Sequence, residues 1–428
     1  MNLSITNFRG AAPGNIVAAR KGIALPHISR PSRFDDGFLG RPSRFDDGFI
    51  RRHSRGRIEG FMRLRQNRSN QFSLHTAHRT LHTAHRTLHT AHRTLLTFFI
   101  FLLTAHCLLP TALASGTWQR QRTSSLAWLH SVFFLDQNRG WVVGSRGTLL
   151  ATTDGGTHWT SLVHPTEDTI RDIYFADDQN GIIVCERNIY DLKSNTDARA
   201  YLMKTVDGGE HWKRASMRGV DPEARIMRAI FTGAGRGWAF GEGGAVFTTH
   251  DLGATWTRLQ PATKYLLLGG DFINEDNGWL VGAGGTILQT SDGGESWQHS
   301  RLATTGVRFN STSFVEQRLG WAVGSGGAIY RTLNGGRSWL SQNSTIETDL
   351  FDVKFLDAAD GWAVGAAGVV LHTLDGGTHW SMERGVTEHN LERIFFVDNT
   401  HGWAVGFGGT IIAFGTGDNR FLAPRLRQ

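Results

Sequence analysis

The residues best equipped for chemistry in this 428-residue chain are its 14 Trp, its repeated Asp-Gly-Gly triplets, its arginines and its 19 His. Indoles can stack on sugars or nucleobases, and paired carboxylates can hydrolyse a glycosidic bond. Guanidinium groups can grip carboxylates at two points, and imidazoles can ligate metal. Spacing decides which of these survive. Twelve of the 14 Trp fall into two recurring motifs, so they are expected as core rather than as stacking platforms. Six His belong to a heptad, Leu-His-Thr-Ala-His-Arg-Thr, repeated three times from Leu74 to Thr94. That heptad reads as low-complexity sequence, not as a ligand set or a coiled coil. Residues 115–428 hold no zinc-type His/Cys spacing and no Gly-rich phosphate loop. No cofactor and no metal are expected.

The elements that must carry these residues are repeats. Gly followed by Trp recurs at Gly140, Gly237, Gly278, Gly320, Gly361 and Gly402, with a worn copy at Gly181, in steps of 41, 56, 41, 42, 41 and 41 residues. Six residues before each Gly stands a Phe, from Phe134 to Phe396, and five residues before each Phe another apolar residue, from Leu129 to Leu391. These runs read as strand A, then a polar turn, then Gly-Trp-Ala-Val-Gly as strand B with alternating burial. A Gly turn leads to strand C, which ends in Thr-x-Asp-Gly-Gly-x-x-Trp. That second motif stands at Thr152–Trp159, Thr205–Trp212, Thr290–Trp297 and Thr373–Trp380, with Leu252 and Asn334 as departures in two further copies. It is the Asp-box of the bacterial-neuraminidase-type repeat. Its Asp is expected to accept backbone N–H groups in the C–D turn, and its Trp to open strand D. The seventh unit lacks an Asp-box, whereas Gly116-Thr117-Trp118 matches the tail of one. The sequence therefore predicts an all-β, seven-bladed β-propeller whose last blade is closed by the N-terminal strand around Trp118.

Residues 1–114 differ in kind. They hold 17 Lys and Arg against 5 Asp and Glu, whereas residues 115–428 hold 28 against 33. The basic charge belongs to the leader, and nucleic-acid binding by the folded domain is not expected. Three regions follow: 1–94, a basic low-complexity leader expected to be disordered or absent from the mature protein; 95–114, a signal peptide or membrane anchor; and 115–428, the propeller. Arg86 and Arg93, the apolar run from Leu95, and Ala112-Leu113-Ala114 have the order of a secretory signal, which places the mature start at Ser115. Its distance from Met1 is long for a signal, so translation is expected to start downstream. His106 before Cys107 excludes a lipoprotein signal. After cleavage only Cys185 remains, which leaves no intramolecular disulfide.

The stretch 115–428 resembles the photosystem II stability/assembly factor family, whose repeats read Gly-Trp-Ala-Val-Gly…Thr-x-Asp-Gly-Gly-x-x-Trp as they do here. The resemblance implies an exported, non-catalytic propeller that acts as a chaperone in assembling a membrane complex. It also implies a periplasmic or thylakoid-lumenal protein peripheral to the membrane, with an arginine patch at its partner contact. A monomer is expected. The alternative is a carbohydrate-binding or sialidase-like Asp-box propeller. Sialidases are six-bladed and need a Tyr–Glu pair. This chain has five tyrosines (Tyr174, Tyr190, Tyr201, Tyr265 and Tyr330) and no Arg-Ile-Pro segment.

Strand order places A–B turns and Asp-boxes on one face. B–C turns, D–A connections and the starts of strand A share the other. Departures from the repeat gather on the second face. Blade 2 puts Ile182 for Trp and Cys185 for Gly, then inserts roughly a dozen residues from Glu186 to Ala200. Blade 3 is preceded by an enlarged loop at Arg218–Arg225. Arg146, Arg171, Arg187, Arg225, Arg228, Arg308 and Arg393 collect there and are the candidate protein-binding residues, with Asp172, Glu223 and Glu392 as acids that could neutralise them. Charge reversal at Arg171, Arg228 and Arg393 is expected to weaken partner capture without unfolding the ring.

Overall fold

The computed structural model describes residues 116–415, apart from 193–196, 234, 261–262 and 301–305. The leader 1–94, the segment 95–114 with Cys107, and part of the blade-2 insertion lie outside the described residues. Among the described residues no helix is long and apolar enough to cross a membrane.

Seven sheets follow one another along the chain. In blade 1, strands A (Leu129–Phe134), B (Gly140–Gly144), C (Leu149–Thr152) and D (Thr160–Ser161) pair antiparallel in sequence order. Blade 7 consists of Leu391–Asp398, His401–Gly406, Thr410–Gly415 and the N-terminal strand Thr117–Arg120, with Trp118 opposite Phe414. The ring closes as the half Asp-box predicted. Strand A of each blade touches strand A of the next all the way round, so these strands surround the axis.

The motifs are explained at the seams between blades. Register places the Phe ending strand A opposite the Gly opening strand B, as in Phe134 opposite Gly140. The ring lies over that glycine: a Cβ on Gly140 would sit 2.4 Å from Phe134. The following Trp then stacks on the Phe of the next blade. Trp141 meets Phe175, Trp238 Phe272, Trp279 Phe314, Trp321 Phe355 and Trp403 Phe134, at centroid distances of 3.4 to 3.9 Å. The Asp-box Trp approaches the same Phe edge-on, as Trp339 does Phe314 at 90°. Each such pair adds about 0.5–1.5 kcal/mol beyond its burial. Ile182 takes the stacking position at the seam between blades 2 and 3, packed with Phe231 and Trp256.

Asp-boxes are tied internally. Asp154 Oδ1 accepts from Thr152 Oγ1 (2.9 Å) and from His158 N (2.9 Å), while Gly156 N donates to Thr152 Oγ1 (2.8 Å). Asn334 makes the same bonds with Thr332 and Ser338, so an amide oxygen serves as well as a carboxylate. Leu252, replacing the first glycine, keeps a left-handed φ of 53°, a strained position for a side-chain-bearing residue. Asp-boxes and A–B turns share a face, for Gly155 N bonds Asn138 O (2.8 Å). On the other face the first B–C turn meets the D–A connection, Gly147 N to Asp168 O (2.7 Å).

One element was not read from sequence. The connection into blade 3 does not run as a plain loop: Ser216–Arg218 forms a fifth strand, parallel to strand D (Thr255–Arg258). Three residues carry too little periodicity to be told from a loop.

Candidate functional site

Every strand A carries a β-bulge one residue past its apolar start. The ladder slips between Leu129 and Ser131, and at the equivalent place in all six other blades. Bulges bend a strand and re-aim its side chains. Here the seven bulge residues are His130, Arg171, Met227, Leu268, Asn310, Phe351 and Glu392. All line one cavity of about 120 Å³ on the B–C/D–A face, together with Arg228 and Arg393 from the next position. The repeat thus builds a cavity whose wall does not repeat. A wider recess of about 530 Å³, walled by Arg139, Trp141, Leu162, Asp207 and His211, lies toward the Asp-box side of blades 1 and 2.

The residues following the bulges form a buried polar layer. Arg393 Nη2 reaches Asp172 Oδ1 (3.1 Å), and Ser131 Oγ donates to the same oxygen (2.6 Å). Arg228 Nη2 lies 3.4 Å from Asp352 Oδ1, which also accepts from Ser311 Oγ. Gly269 stands at this position in blade 4, and Arg228 reaches past that blade to Ser311 and Asp352 in blades 5 and 6. These acids also satisfy neighbouring strand edges: Asp172 accepts from Ala229 N (3.0 Å) and Asp352 from Ile394 N (3.0 Å). Burial works to raise the Asp352 carboxyl, yet the Arg228 and Arg393 guanidiniums and Ser311 hold it below the ordinary carboxylate range.

The seven candidate arginines therefore stand differently. Arg171, Arg228 and Arg393 converge on the cavity. Arg171 Nε binds Glu186 (2.6 Å), which Arg199 also holds (2.8 Å), so Glu186 ties the blade-2 insertion to the cavity wall. Arg187 lies within the insertion, 3.8 Å from Asp168 and over the Tyr201 ring. Arg225 pairs with Glu242 and Arg308 with Asp349 (2.8 Å); neither lines the cavity, though Arg308 Nε donates to Asn310 of its wall (3.1 Å). Arg146 is exposed in the first B–C turn with a φ of 56°, and no described group hydrogen-bonds or ion-pairs with its side chain.

This arrangement corrects one expectation. The Arg228 and Arg393 side chains are only 13% exposed and sit in ion pairs. Reversing their charge would leave like charges buried together and would strain the fold itself. Of the acids expected to neutralise arginines, Asp172 does pair with Arg393, whereas Glu392 accepts from Trp128 Nε1 (3.0 Å). Sequence reasoning missed His130, Met227, Leu268, Asn310 and Phe351, and read Glu392 only as a neutralising acid. Their place in the repeat was readable, since each directly follows the apolar residue that starts strand A, but nothing in the sequence marked that place as turned toward the axis.

The family model described as photosynthesis system II assembly factor YCF48 matches residues 157–266, 260–344 and 340–415. A curated relative, the photosystem II assembly lipoprotein Ycf48 of Synechococcus sp. (strain CC9902), is 30% identical over 153 residues, 35% of this chain and 41% of the relative. The match thus spans less than half of that relative's length. Among solved structures, YCF48 from Cyanidioschyzon merolae superposes with a TM-score of 0.59 at 19% identity, over 70% of this chain and 99% of the other. A YCF48 solved with a D1 peptide gives 0.59 at 21% identity, over 72% and 97%. At those identities the two structures establish the shared fold.

Proposed function

Since the chain belongs to the family of photosystem II assembly factors described as YCF48, we propose that it is an exported, non-catalytic binding propeller that holds a subunit of a membrane complex during assembly. The observation that carries this reading is the cavity built by seven bulges. It gathers unlike residues on the face that also bears the blade-2 insertion and Arg146. Rigid scaffolds present recognition residues in this way. A relative has been solved with a D1 peptide, and a comparable segment of a reaction-centre subunit is the partner proposed here.

Glu392, the one carboxylate in the cavity lining, and the two in the polar layer beside it argue for binding rather than hydrolysis. Asp172 and Asp352 are engaged by arginine and by backbone N–H groups, and Glu392 accepts from Trp128. A glycosidase needs one carboxyl free to deliver its proton and a second free to attack or activate water. Segment 95–114 would direct export, with Ser115 as the mature N-terminus. The test is affinity capture from native membranes with the tagged mature chain. A reaction-centre subunit recovered with wild type, and reduced with Arg146→Glu but not with Arg318→Glu, supports the proposal. Release of sugar from glycans, or recovery of no membrane subunit, overturns it.

A further inference from the structure

The central cavity has two unlike arcs. Glu392, His130 and Arg171 come from blades 7, 1 and 2, whereas Met227, Leu268 and Phe351 come from blades 3, 4 and 6, with Asn310 of blade 5 between them, its amide already bonded to Arg308 Nε (3.1 Å) and Leu350 O (2.7 Å). Positive charge around it is already answered from within: Arg171 by Glu186, Arg228 by Asp352 and Arg393 by Asp172. Little Coulomb attraction is left for an incoming carboxylate. What is left unanswered is the apolar arc and the imidazole of His130, whose ring nitrogens no described group engages. Burial, with Arg171 and Arg393 nearby, pushes His130 down to about 3. The ring is therefore neutral at physiological pH and offers one donor and one acceptor. At the rim stands Trp128, 41% exposed, fixed through Nε1 to Glu392 and set against His130 and the half-exposed Phe407.

We infer that, within the binding function proposed above, the cavity seats one apolar side chain of an extended partner segment against Met227, Leu268 and Phe351, while His130 hydrogen-bonds the adjoining peptide group and the chain leaves across Trp128 and Phe407. Size supports this occupant. An apolar cavity of about 150 Å³ holds benzene, so about 120 Å³ accepts a valine- or leucine-sized group. A helix does not fit such a space, and a lone charged group would have to compete with ion pairs already made.

The test needs no knowledge of the biological partner. N-acetyl-leucinamide and N-acetyl-aspartate amide, the latter with its β-carboxylate free, are titrated into the full chain, and the Met227 methyl resonance is followed. The leucine probe is expected to shift it saturably. Affinity should change less than about twofold between about 0.05 and 0.5 M salt, and Leu268→Asp should weaken it at least about tenfold, equal to about 1.4 kcal/mol. Should Leu268→Asp lower the melting temperature, Leu268→Ser supplies the same comparison. Equal binding of the aspartate probe, or an unchanged affinity in both Leu268 variants, overturns the inference. So does Trp128-dependent sedimentation with phosphatidylcholine vesicles, which would assign the rim to a bilayer. Loss of membrane-subunit capture with the leucine probe still bound would count against the proposed function alone.

Discussion

Arg146 holds a left-handed φ of 56° where four other B–C turns place Gly243, Gly284, Gly326 and Gly408. A side chain there costs about 1 kcal/mol that glycine would not, and the exposed guanidinium makes no bond that offsets it. Arg146→Gly should raise stability by about 0.5–1 kcal/mol in urea denaturation while weakening capture of the partner. Arg393 behaves in the opposite way. Arg393→Met leaves Asp172 buried without its counter-ion and should cost about 3–5 kcal/mol. Adding Asp172→Asn should recover part of that loss, which a double-mutant cycle measures. The arginines themselves were legible, because they recur near the starts of strand A. Their partners were not. Arg393 and Asp172 stand 221 residues apart, Arg228 and Asp352 124 apart, and no local period links a residue to one several blades away.

Among the elements, the Asp-box was the most legible, since the Thr and Asp side chains that shape it bond within the eight-residue motif. Its pH dependence follows from those bonds. Backbone and ring groups of His211 and His379, with the adjacent threonines, hold Asp207 and Asp375 at about 2, below the ordinary 3.8. A carboxyl depressed in the folded state contributes its stability above the unfolded value and loses it as pH falls through the folded one. Melting temperature should therefore drop between pH 4 and pH 2. The double variant Asp207→Asn, Asp375→Asn should fall less over that window, because Asn334 shows that an amide completes the turn. The bulges were not legible. Nothing in the alternation of strand A marks the slipped residue, and its identity differs in every blade.

At the scale of the whole molecule the sequence specified blade number, strand order and closure, because five of the seven seams repeat the same Trp–Phe stack and the repeat spacing carries the other two. Trp118 is the closing piece, buried between Trp362, Phe396 and Phe414. Trp118→Ala should cost about 3–5 kcal/mol, read as a lower denaturation midpoint. An unchanged midpoint would mean that the ring holds without its latch. The site, by contrast, belongs to no single blade and becomes readable only once all seven bulges face one axis.

The latch also imposes an order in time. Thr117 opens the first described strand and pairs with Gly415 at the end of the last. The first of the described strands to be made therefore waits unpaired until the last has been added. Six blades can settle as they appear, but the cavity wall is complete only once blade 7 supplies Glu392 and Arg393, so a chain interrupted short of blade 7 would lack part of the binding site proposed above. Under the proposed function an unfinished molecule would not bind, and its strand Thr117–Arg120 would stand with a bare edge, the kind of surface that quality-control proteases and chaperones recognise.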